Sequence, residues 1–254
     1  MILTKIKFMI GTAIILCAGF LLIPVKAEEQ TAVDSLWQQA VNIATQNQDI
    51  VPGTIYLHSN EFNSKGILKK EEKTWTKVFL DQDGNIRMDL VKYLENGIDV
   101  TETKKKEFEQ KEKNKEKKKK NEMGMDLGDF NPFNPDIQKD ITISSLNLQE
   151  SVNSQSCSVY KYTRAMPNGV TQTGKAWLDS STGIPLQIEY TLDPLPAFVK
   201  ELTFKINYKK NQNNIWAPYK VNMAGKVNAF FYKATISSQF LMEAYWRHKK
   251  LESI

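Results

Sequence analysis

Few residues of this chain have the types and spacing that chemistry needs. There are two histidines, His58 and His248, and two cysteines, Cys17 and Cys157. His58 stands among Tyr56, Leu57 and Ser59 in an extended pattern, and His248 in the basic tail Arg247-His248-Lys249-Lys250. Neither has a partner at metal-ligand spacing. No nucleophile-elbow, phosphate-loop, His-Glu-x-x-His or paired-cysteine motif is present. A Cys157–His58 thiol–imidazole pair is the one nucleophilic arrangement the residue types permit, and nothing in their spacing supports it. Asp83-Gly84-Asn85 has the start of a calcium loop without its repeated acidic spacing, so it reads as a turn. Carboxylates are scattered singly along alternating segments. These features predict a protein that binds rather than catalyses, with no cofactor and no metal.

Charge narrows the partners. The net +5 is concentrated in two segments. Residues 1–27 carry three Lys and no acid, and residues 102–120 carry ten Lys against five Glu, which leaves the remainder at −3. A basic folded face for nucleic acid is therefore not expected. Lys5 and Lys7 precede the apolar run Phe8–Val25, and Val25-Lys26-Ala27 follows. That order predicts a secretory signal peptide (residues 1–27) with a cut after Ala27, with an uncleaved anchor as the alternative. Leu16 before Cys17 argues against a lipid-modified cysteine. The mature chain then has Cys157 alone and no internal disulfide. Its setting of small and apolar residues, Ser156-Cys157-Ser158-Val159-Tyr160, predicts a buried thiol.

The elements that would position any site follow from periodicity. Val33, Leu36, Trp37, Ala40, Val41 and Ala44 recur at three- and four-residue spacing, which predicts an amphipathic helix over 31–46. From Val51 onward the period is two. Alternating segments are separated by turn sequences such as Asp83-Gly84-Asn85, Glu95-Asn96-Gly97, Thr182-Gly183 and Asn211-Gln212-Asn213-Asn214. They predict nine or ten antiparallel strands in one sheet, long enough to curl. Ala197–Leu202 reads as a short helix. Residues 102–122 form a charged low-complexity insert, expected as a solvated loop or a frayed helix, with contact to anionic headgroups as its functional alternative. Met125, Leu127, Phe130 and Phe133 follow in an Asn-Pro-rich loop that is expected to pack on the core rather than cover an apolar opening.

Three stretches carry a family resemblance. Gly174-Lys175-Ala176-Trp177-Leu178-Asp179 followed by Thr182-Gly183-Ile184-Pro185-Leu186, the hairpin Asp83–Asp89, and Trp216-Ala217-Pro218 with Gly225-Lys226 are similar to hairpins of the LolA-like superfamily, the outer-membrane lipoprotein-sorting proteins and their periplasmic relatives. The resemblance covers most of residues 31–247, interrupted by the insert. It implies a mainly β fold: a strongly curved antiparallel sheet, a half-barrel, with the N-terminal amphipathic helix as lid, in a single domain over 28–254. It also implies an apolar cavity that receives lipid acyl chains or a lipoprotein, at about 0.8 kcal/mol per buried methylene. The concave candidates here are Leu186, Ile188, Tyr190, Phe204, Ile206 and Tyr208, with Trp37 from the lid. The family's carriers hold the lid with an early-strand arginine, and Arg87 is the candidate for that role. An envelope sensor that uses the same half-barrel to contact a membrane-protein partner, through residues 102–135, is the alternative.

Overall fold

The computed structural model describes residues 34–82, 84–116, 130–166, 169–211 and 213–248. The leader with its cut after Ala27, Asp83 of the hairpin turn, and Met123, Met125 and Leu127 lie outside the described residues.

Helix α1 (Ser35–Gln46) starts where Asp34 caps it, the carboxylate accepting from the Leu36 amide at 2.9 Å. It buries Trp37, Ala40 and Val41, the stripe expected from the spacing. The strands then run as β1 (Ile50–Val51), β2 (Thr54–Asn63), β3 (Leu68–Leu80), β4 (Ile86–Glu95) and β5 (Ile98–Asp99). Helix α2 (Thr101–Glu116) and a 3-10 helix (Pro135–Asp140) follow. The second half is β6 (Ile141–Val152), β7 (Gln155–Ala165), β8 (Thr171–Asp179), β9 (Pro185–Asp193), β10 (Val199–Lys210), β11 (Trp216–Ala229), β12 (Tyr232–Glu243) and β13 (Trp246–Arg247).

Eleven strands make one antiparallel sheet in the order β5-β4-β3-β2-β12-β11-β10-β9-β8-β7-β6, and β1 pairs separately with β13. The sheet is open, with β5 and β6 as its edges, and forms a half-barrel. The strand count exceeds the nine or ten expected, since a two-residue strand such as β5 is too short to show an alternation. The helix expected at Ala197–Leu202 is instead a turn leading into β10. Pro194 and Pro196 withhold amide donors there, and the Leu202-Phe204-Ile206 alternation extends back to Val199. The charged insert is helical up to Glu116. Lys104 lies over the Tyr93 ring at 5.6 Å, and the Tyr93 amide donates to Thr101 Oγ1 at 2.9 Å. These contacts hold the start of α2 against β4.

Two apolar clusters form. The larger joins α1 to Phe130, Phe133 and strands β7 to β12. Phe130 and Phe133 are both buried, so the Asn-Pro loop packs down as expected. The smaller cluster contains Val152, Cys157, Val159, Trp177 and Leu186. Cys157 has no exposed surface, and burial pushes its thiol pKa up. An aromatic disulfide reagent is therefore expected to leave Cys157 unmodified in the native protein and to label it at once in denaturant. Rapid native labelling, followed by absorbance, would contradict this packing.

Candidate functional site: a concave face of two characters

Cross-strand partners share a face of a sheet, so the register can be followed sideways across ten strands. One row runs Ile143, Tyr162, Gly174, Tyr190, Phe204, Met223, Ser238, Ser59, Glu72, Glu95. From β6 to β11 it is apolar or aromatic. From β12 to β4 it is polar and charged. The first half is the floor under α1.

On that floor Trp37 is the centre. Its ring lies 4.9 Å from Phe133, 5.9 Å from Tyr160 and 6.1 Å from Tyr162. Phe130 stacks on Tyr190 at 5.8 Å, and Tyr190 on Phe204 at 4.8 Å. Of the residues singled out from sequence, Trp37, Ile188, Tyr190, Ile206 and Tyr208 are buried in this cluster, with Phe204 packed against it. Leu186 belongs to the smaller cluster. Trp177 pairs with Gln187 but Leu178 with Pro185, so Leu186 falls in a bulge that changes its direction.

The lid is fastened by a polar contact that the sequence did not single out. Trp37 Nε1 donates to Gln138 Oε1 at 3.0 Å, and Gln138 Nε2 donates to the carbonyls of Pro132 and Asn134, each at 2.8 Å. Gln138 thus joins α1 to the Asn-Pro loop. Fully buried Gln172 donates to the Phe130 carbonyl at 2.9 Å, tying the same loop to β8. The Asn-Pro-Phe-Asn-Pro sequence was the available signal, since a loop so poor in amide donors needs side chains to fix it. Arg87 sits at the β3–β4 end, its Nε 2.8 Å from Asp81 in its own hairpin.

The family-like hairpin supports the lid from below. Asp179 accepts from the amides of Ser181 (3.0 Å) and Thr182 (2.9 Å) and from their hydroxyls (2.6 and 2.8 Å). The Ser181 bond leads the causes that hold its carboxyl below the usual range. The turn brings Gly183, at φ 68°, against α1, where a Cβ would come within 2.6 Å of the Leu36 carbonyl oxygen. Gly174 lies under Tyr162, whose ring would meet a Cβ at 2.6 Å.

The polar half is closed on itself. Lys70 pairs with Glu72 at 2.7 Å and Glu95 at 3.5 Å, and the Tyr93 hydroxyl donates to Glu72. Burial works against the Lys70 charge, but the two glutamates outweigh it and raise its pKa. Ser59 and Ser238 hydroxyls meet at 2.8 Å.

Tyr162, Tyr190 and Tyr208 are pushed up by burial and stay neutral phenols. His58 bonds Glu71 at 2.8 Å on β2 and β3, whereas Cys157 lies in the cluster of β6 to β9. Among the described residues no group of three or more His, Cys, Asp or Glu is placed to hold a metal. No described helix is long and apolar enough to cross a membrane.

No family model matches the sequence, and no curated protein does. Solved structures do. A domain described as an outer membrane lipoprotein-sorting protein, from Vibrio parahaemolyticus, is similar at 14% identity and a TM-score of 0.37, over 85% of this chain and 95% of that one. A LolA superfamily protein from Nitrosomonas europaea is similar at 10% identity and 0.38, over 85% and 93%. A DUF1329 family protein from Desulfovibrio piger is similar at 14% and 0.35, over 86% and 94%.

Proposed function

We propose that this chain is a non-enzymatic periplasmic carrier of acyl chains, taking up a lipid or an acylated lipoprotein on the aromatic floor beneath α1. One observation carries the reading: a floor spanning β7 to β10 is covered by a twelve-residue helix and a short loop rather than by a second sheet. In the described geometry α1 is closed on the floor, which Trp37, Phe130 and Phe133 occupy. Withdrawal of α1 would break the Trp37–Gln138 bond and expose Tyr160, Tyr162, Ile188, Tyr190, Phe204 and Ile206. An acyl chain regains that lost contact at about 0.8 kcal/mol per buried methylene. The leader pattern supports export.

The test is mass spectrometry of organic extracts from mature protein purified without detergent, beside a version lacking residues 102–122. A stoichiometric acyl species is expected in the full-length protein. Absence of lipid from it, with no change in tryptophan emission on adding a fatty acid, would sink the reading.

A second reading has its own observation. The Lys70–Glu72–Glu95 half of the concave face is unsuited to an acyl chain and lies beside α2, so an envelope sensor could meet a membrane-protein partner there. Loss of partner capture in the 102–122 deletion, with lipid uptake intact, distinguishes it. The deletion has to stop short of Phe130, which belongs to the core.

A further inference from the structure

The turn between β11 and β12 is the two-residue loop Phe230-Phe231, closed by the pair Ala229–Tyr232. Phe230 is 83% exposed and Phe231 wholly exposed. Two-residue hairpin loops favour Asn and Gly because the backbone there takes positive φ, and Phe230 holds φ 47°. A bulky residue in that conformation is strained. Strain kept at an exposed apolar tip is a mark of use rather than of stability.

The tip has neighbours of matching character. Ala234 pairs with Asn63, so the β2–β3 turn lies alongside and brings exposed Ile67 and Leu68 to the same end of the sheet. The Phe198 ring lies 5.4 Å from Phe230 and backs it. Lys69 and Lys233 line one open recess of about 480 Å³ together with Phe230 and Phe231. Lys65 is exposed in the β2–β3 turn. No described acidic group lies within ion-pair distance of these three lysines, whereas the recess carboxylate, Glu61, accepts the Tyr232 hydroxyl at 2.6 Å.

We propose that this end of the sheet docks on an anionic lipid surface, with Phe230 and Phe231 entering the headgroup–acyl boundary and Lys65, Lys69 and Lys233 meeting the phosphates. Aromatic rings favour that boundary. Unpaired lysines are attracted to anionic headgroups, at a gain of about fivefold in affinity each. The surface is distinct from the floor beneath α1, so docking and acyl uptake stand or fall separately.

The test is co-sedimentation of the mature chain with vesicles of phosphatidylcholine, with and without phosphatidylglycerol. The wild type is expected to sediment with the anionic vesicles and to be released by salt. The variant F230G/F231N places turn-favouring residues in the loop. It is expected to melt no lower than the wild type and to lose roughly tenfold in vesicle affinity for each ring removed. The variant K65Q/K69Q/K233Q is expected to lose the preference for anionic vesicles. A wild type that stays in the supernatant, as it would if the tip met a protein instead, overturns the proposal. So does a phenylalanine or lysine variant that binds like the wild type.

Discussion

Trp37→Ala is expected to lower the unfolding free energy by about 3–5 kcal/mol, the range for truncating a buried aromatic. Trp37 is 1% exposed and its ring is in contact distance of three others. Its loss leaves a void on the floor and an unpartnered Gln138 oxygen, in a protein whose whole stability is expected at about 5–15 kcal/mol. Denaturant unfolding followed by circular dichroism measures the change directly. The shape of the loss is informative as well. If α1 and the Asn-Pro loop form one closing unit, the variant should bind a hydrophobic dye before the sheet melts. A variant less than 1 kcal/mol below wild type would mean that α1 is only loosely seated on the floor and does not close it.

Gly174→Ala is the second large effect, and it comes from one added methyl group. The Cβ would sit 2.4 Å from the Glu189 carbonyl oxygen and 2.6 Å from Tyr162 Cζ and Oη. Backbone of the neighbouring strand blocks one side. On the other, the Tyr162 ring is held by Trp37 and its hydroxyl accepts from Gln172. The site cannot give, so the cost is expected at the upper end of the overpacking range, about 3 kcal/mol. Thermal melting is the measurement. A companion Tyr162→Phe, which removes only the hydroxyl, should recover little, because the Cζ clash remains. Full recovery by that companion would show the backbone clash to be spurious.

Both expectations bear on what a sequence makes legible. Strict alternation along Leu186–Leu192 and Leu202–Tyr208 was enough to foresee the sheet, since period two has only one regular solution. The three-and-four spacing through Trp37 and Val41 likewise gave α1. Lateral order was less accessible: alternation says which residues share a face of one strand, not which face of the next strand they join. Leu186 shows the limit, because a single bulge at Trp177–Leu178 moved it to another cluster. The split of the concave face was also hidden. Glu72, Glu95 and Ser59 look like ordinary wet-face residues until register aligns them with Tyr190 and Phe204. Gln138 was invisible for another reason: it lies in a polar segment with no periodicity, and its value comes from what it reaches. By sequence the two motif glycines fit a turn or a hairpin, but one makes room for a ring and the other for a helix backbone.

The pairing of β2 with β12 orders events in time. From β6 to β12 every strand lies beside its neighbour in sequence, so that half of the sheet can assemble as the chain emerges. The wing of β2 to β5 is likewise a run of sequence neighbours and can form its own hairpins early. Its only sheet neighbour outside itself is the last long strand, almost the whole chain away. Such distant closure is slow. The two runs of hairpins can therefore join only once the last long strand is in place beside β2. The β2–β12 seam is then the last to close, and the half-barrel acquires its curvature only at that step.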